Sequence, residues 1–133
     1  MQAVARTTGV RASTRKVRLV ADSIRNLPID KAVALLKTTQ KRGSSILLKT
    51  LQSAIANATQ QGAVAADLRI VRIDVDGGPT LRRMHIGSRS HVRMYTKRSS
   101  HVRVTVGDTK DEKKVAKNEV KTVVKEEKKE EVK

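Results

Sequence analysis

Hydrophobic positions change their period along the chain, and each change predicts an element. Between Gln2 and Val10 they alternate loosely through Val4, Thr8 and Val10, with Gly9 near the end, which predicts a short N-terminal strand. From Ser13 the spacing becomes three and four. Val17, Val20, Ala21, Ile24 and Leu27 form one stripe of a helix, with Ser13 as its N-cap and Pro28 as its stop. Asp30 is placed to cap a second helix that turns Ala32, Leu35 and Leu36 inward. Gly43-Ser44 marks a break, after which Leu47, Leu51, Ala54, Ile55 and Ala58 define one face of a third helix ending near Gly62. At Leu68 the period falls to two. Val71, Ile73 and Val75 share one face of a strand that Gly77-Gly78-Pro79 interrupts. Val102, Val104 and Val106 make a matching strand, with Arg103 and Thr105 on its other side. The two runs are expected to pair antiparallel and to lay their Val/Ile face on the helices, an α+β arrangement.

Residues 78–100, between the two strands, are too many for an ordinary hairpin loop and too polar for a second core. Leu81, Met84, Ile86, Val92, Met94 and Tyr95 are interspersed with arginine, so both arms continue as strands of a long hairpin. With about 11 residues in each arm, the ribbon reaches roughly 35 Å. A two-stranded ribbon is marginal in water, so this one needs material packed on both sides of it. With arginine on nearly every face, that material is rich in phosphate.

Charge sharpens this picture. The 133 residues carry 29 Lys+Arg against 13 Asp+Glu, a formal net charge of +16, and a polyanion is the natural partner of such a chain. The absence of cysteine excludes a disulfide framework, a Cys-based zinc module and thiol catalysis. With no Phe, no Trp and one tyrosine, Tyr95, the chain lacks the platform that reads unpaired bases by stacking. No apolar run approaches about 18 residues, and MQAVARTTGVR has no signal-peptide core, so no membrane partner is expected. Residues 110–133 hold 9 Lys and 7 Asp+Glu with few apolar positions, and are expected to be a disordered or frayed-helical tail. Residues 1–109 keep 20 basic and 6 acidic side chains and form the single binding domain. Two acid-poor stretches stand out. Arg6, Arg11, Arg15, Lys16 and Arg18 precede the first acid, Asp22; Arg82, Arg83, Arg89, Arg93, Lys97, Arg98 and Arg103 fall between Asp76 and Asp108.

Catalytic chemistry finds little support. His85, His91 and His101 have no common metal-ligand spacing, so no metal and no cofactor are expected. Asp74 and Asp76 share one strand face, as a metal-dependent nuclease would need, yet opposite an Arg-bearing strand they serve to offset repulsion. Gly77-Gly78-Pro79 lacks the Lys and Ser/Thr of a phosphate-binding P-loop. The third helix carries Lys49 as its only charge beyond the break, which excludes it as a major-groove reading helix. Shape-based RNA binding through phosphates and 2′-hydroxyls remains, with a non-specific nucleic-acid-binding protein as the second reading.

Four blocks then show a resemblance covering residues 1 to about 108. Ser13-Thr14-Arg15-Lys16-Val17-Arg18-Leu19-Val20-Ala21-Asp22 resembles the opening helix of the large-subunit ribosomal protein twenty-two family, and Ser53-Ala54-Ile55-Ala56-Asn57-Ala58 resembles its third helix. Asp76-Gly77-Gly78-Pro79-Thr80 and Lys97-Arg98-Ser99-Ser100-His101 bracket the hairpin as in that family. The resemblance implies a non-catalytic structural constituent of the large ribosomal subunit, located in the cytoplasmic ribosome and supporting subunit assembly and translation. It implies three helices on a small three-stranded antiparallel sheet, with a long hairpin lining the peptide exit tunnel. By position, Arg11, Ser13, Lys16 and Arg18 meet rRNA, and Arg82, Arg83, Lys97 and Arg98 hold the hairpin stem. Gly87, Ser88, Arg89, Ser90, His91, Val92 and Arg93 form the tip. The implied partners are large-subunit rRNA, neighbouring ribosomal proteins and the nascent peptide passing the tip.

Overall fold

A central strand, β5 (Ser100–Asp108), organises the molecule by pairing antiparallel with β1 (Gln2–Val10) on one side and β2 (Leu68–Gly77) on the other. The computed structural model describes residues 2–25, 27–64 and 68–108. The expected 110–133 tail lies outside the described residues. Val102, Val104 and Val106 are all buried and face Ala5 and Ala3 on β1 and Val75, Ile73 and Ile70 on β2. Three helices cover that face: α1 (Thr14–Ile24), α2 (Ile29–Thr38) and α3 (Arg42–Gln60). Each buries a stripe, through Val17, Val20, Ala21 and Ile24 on α1, Ile29, Ala32 and Leu36 on α2, and Leu47, Leu51, Ala54 and Ala58 on α3. The fold is the expected α+β arrangement.

The departures from expectation have local causes. On β1 the inward residues are Ala3 and Ala5, and Val4 is exposed. A register shift between Thr7 and Val10, with Gly9 at φ 69°, reverses the alternation so that Val10 still points inward. A second shift between Ile70 and Arg72 places Ile70, rather than Val71, in the core of β2. Gly43 and Ser44 do not break the chain. They form the buried first turn of α3, where a Cβ on Gly43 would lie 3.3 Å from Val20 Cγ2, so α1 and α3 touch closely there. Asp30 sits in the first turn of α2 behind Pro28 at the N-cap, and Leu35 is exposed. Leu27 lies past the end of α1 and is only partly buried.

Beyond the sheet, β3 (Leu81–Ile86) and β4 (Val92–Lys97) form a separate two-stranded hairpin of six residue pairs. Its ladder reaches roughly 20 Å, shorter than the arms expected from sequence, because pairing stops at the 3₁₀ turn Ser88–Ser90. Every residue of both strands is exposed. At the tip the Gly87 N–H donates to the His91 carbonyl at 2.8 Å, and Arg89 holds φ 55°, ψ 38°, a left-handed conformation uncommon outside glycine.

Candidate nucleic-acid interface

Cations gather on three surfaces, and the fold rather than the sequence order decides which belong together. The first is a cleft where α1 begins, α3 begins and the hairpin leaves the body. Arg11, Ser13, Lys16 and Leu19 line it from α1 and its approach, Lys41, Arg42 and Gly43 from the start of α3, and Thr96, Lys97 and Arg98 from β4 and its exit. Six of the lining residues are cationic and none is acidic. Both helices start there with backbone donors to spare. Neither N-cap residue, Ser13 or Lys41, makes a side-chain capping bond, and neither first turn contains an acid. A phosphate entering the cleft meets mobile cations and the positive ends of two helices together.

Lys41 and Arg42 were not legible as site residues. They are an isolated pair in the sequence, and only the docking of α3 against α1 through Gly43 brings them beside Lys16.

The second surface is the helix-free face of the three-stranded sheet. Arg6 pairs directly with Arg103, which pairs in turn with Asp74. Asp74 is already bound by Arg72, whose Nε donates to its Oδ1 at 2.7 Å. Two like charges directly opposite one another destabilise a sheet, so an anion laid across Arg6 and Arg103 relieves a cost present in the free protein. Asp74 therefore stands among cations, and Asp76 lies opposite His101. Among the described residues, no group of three or more His, Asp or Glu side chains is placed to hold a metal ion.

The third surface is the hairpin, and its register separates the side chains more cleanly than the sequence suggests. Leu81, Arg83 and His85 share one face with Arg93, Tyr95 and Lys97. The other face carries Met84, Ile86, Val92 and Met94, with Arg82 and Thr96 at its base. The ribbon thus has one basic and one apolar side, rather than arginine on nearly every face. The four apolar side chains are 55–72% exposed, so no described residue covers them.

The remaining expected contacts are distributed around these surfaces. Arg89 is exposed at the tip, and Arg15 is exposed on α1 outside the cleft lining. Arg18 is turned toward the open edge of β2, where its Nε and Nη2 donate to the Val75 carbonyl at 3.1 and 2.7 Å. Arg25 reaches the Ile73 carbonyl two residues along at 3.5 Å. Together they occupy backbone acceptors that an unguarded sheet edge would offer to another strand.

Compared with known protein families, residues 5–107 match the family described as Ribosomal protein L22p/L17e.

Proposed function

The chain belongs to the ribosomal protein L22p/L17e family, and from that premise we propose how its three cationic surfaces divide the work of holding rRNA. Members of this family are structural proteins of the large ribosomal subunit, not enzymes, and bind rRNA near the exit tunnel. Among the described residues, no helix is long and apolar enough to cross a membrane.

The observation that carries the proposal is the acid-free cleft. Arg11, Lys16, Lys41, Arg42, Lys97 and Arg98 come from three separate parts of the chain and converge on it. Phosphate contacts of this kind set position and affinity without reading bases, which suits a chain with a single aromatic residue. Lys97 and Arg98 belong to the hairpin's return strand and its exit, so an RNA backbone seated in the cleft ties the hairpin base to the body. The pair Arg6 and Arg103 takes a second segment across the open sheet face. Along the hairpin, Arg83, Arg93 and Lys97 bind phosphate on the basic side, and Arg82 does so at the base of the other side. Met84, Ile86, Val92 and Met94 face the tunnel side or an apolar part of a neighbouring ribosomal protein, and the tip, residues 87–93, borders the path of the nascent peptide. Two methionines suit that position, because flexible thioether side chains adapt to changing sequences.

Fractionation of a cell extract tests this reading. The full chain is expected to co-sediment near-stoichiometrically with large subunits after a moderate salt wash. Recovery mainly in free or DNA-bound fractions contradicts it and supports a non-specific nucleic-acid-binding protein outside the ribosome.

A further inference from the structure

The hairpin is bare, but the joint from which it springs is not. The chain leaves the sheet through Gly77-Gly78-Pro79 and returns through Ser99-Ser100-His101, and Ser99 and Ser100 are both buried. Gly78 N–H donates to the Ser99 carbonyl at 3.0 Å, and Ser99 Oγ donates to the Pro79 carbonyl at 2.5 Å. These two bonds close the base of the hairpin from both strands. Gly78 is also wedged. A Cβ added there would lie 2.7 Å from Ser99 Oγ and 3.2 Å from His101 Nε2. A side chain there would push the Ser99 hydroxyl off the Pro79 carbonyl, so the glycine preserves that bond. On the far side of His101, its Nδ1 accepts a hydrogen bond from the Gly9 N–H at 3.1 Å, at the β1 bulge.

Three hydrogen bonds, Gly9 to His101, Gly78 to Ser99 and Ser99 to Pro79, lie side by side here, with the His101 ring filling the space beside Gly78. Together they link the outermost strand of the sheet to the first residues of the hairpin. We infer that Gly78, Ser99 and His101 are positioning residues that aim the hairpin relative to the body, so that its tip stands in register with the surface bound by the cleft. With a lever of roughly 20 Å, a 10° rotation at the joint moves the tip by about 3 Å, the spacing of one residue along a strand. The functional weight of the inference rests on the proposed rRNA reading of the hairpin, but the joint itself is measurable without RNA.

The absence of cysteine in the chain allows two unique spin labels. Lys37→Cys labels the exposed end of α2, and Met94→Cys labels the exposed stem on β4. Pulsed dipolar spectroscopy on the free full-length protein then reads the angle between body and stem. A narrow distance distribution is expected. Met94 lies about halfway along the ladder, so Gly78→Ala and His101→Phe are expected to shift its mean by about 2 Å or to double its width, and Ser99→Ala to broaden it. His101→Asn, whose side-chain oxygen can still accept from Gly9, should retain more of the native distribution than His101→Phe. Thermal melts accompany each variant, and if Gly78→Ala fails to fold, Ser99→Ala and His101→Phe decide. Folded variants that keep the native mean and width overturn the inference, as does a distribution already broad in the unsubstituted joint. Loss of rRNA binding elsewhere would overturn the functional reading and leave these distances unchanged, so the two failures are separable.

Discussion

Replacing Lys16, Lys41, Arg42 and Arg98 together with glutamine is expected to weaken rRNA binding on the order of a thousandfold near 0.1 M salt, and to flatten the log–log salt dependence by about 3. All four side chains are exposed and line one acid-free cleft. Each that neutralises a phosphate releases counterions and contributes about 0.7 to 0.9 to the slope. The fold should tolerate the change. None of the four belongs to the core, and surface substitutions of this sort usually stay within about 0.5 kcal/mol. Removing like charges from a chain of net charge +16 also relieves self-repulsion. Binding titrations across a range of salt concentrations, paired with thermal melts, separate the two effects. A slope that changes by less than one contact would mean that the cleft does not hold the backbone.

Deleting residues 81–97 and joining Thr80 to Arg98 is expected to leave the melting temperature of the free domain within a few degrees, while retention on large subunits falls on the order of a hundredfold. The stability half follows from burial. No residue of β3 or β4 is buried, and the core cluster contains none of them. The base remains closed by the Gly78–Ser99 backbone bond, so the two ends are already adjacent. The binding half follows from linkage. On the proposed reading body and hairpin engage separate RNA surfaces through one base, so each raises the effective concentration of the other, and removing one arm forfeits that gain. Calorimetry of the free protein and a salt-washed pelleting assay read the two halves independently.

Much of the fold was legible because single stripes carried it. Val17, Val20, Ala21 and Ile24 on α1, and Val102, Val104 and Val106 on β5, match their helical and strand periods without interruption. The errors arose where the backbone changes parity. On β1 the larger Val4 drew attention from Ala3 and Ala5, yet small residues are what the approach of α3 admits. The shift after Ile70 is invisible in a run as uniformly apolar as Ile70-Val71. Gly43 reads as a break in sequence and acts as a contact in space, since the absence of a side chain lets two helices approach.

The interface was legible in charge and illegible in grouping. Linear clustering found Arg11, Lys16, Lys97 and Arg98, but Lys41 and Arg42 join them only through tertiary packing. It also grouped Arg18 with them, which the fold sets at the edge of β2. The two-sided character of the hairpin depended on register. Once Met84 is opposite Met94 and His85 opposite Arg93, Met84, Ile86, Val92 and Met94 fall on the face away from Arg83, Arg93 and Lys97.

Amide hydrogen exchange over residues 81–97, compared between the free full-length protein and the same chain within the large subunit, tests the central claim most directly. When free, a hairpin with no buried residue and only six pairs should stay paired most of the time yet open often enough to show only about tenfold protection. Seated between RNA surfaces, it should slow by more than about a hundredfold while the core of β5 changes little. Strong protection in the free protein would show a self-sufficient hairpin, and equally fast exchange in the subunit would show that rRNA does not hold it; either result contradicts the account.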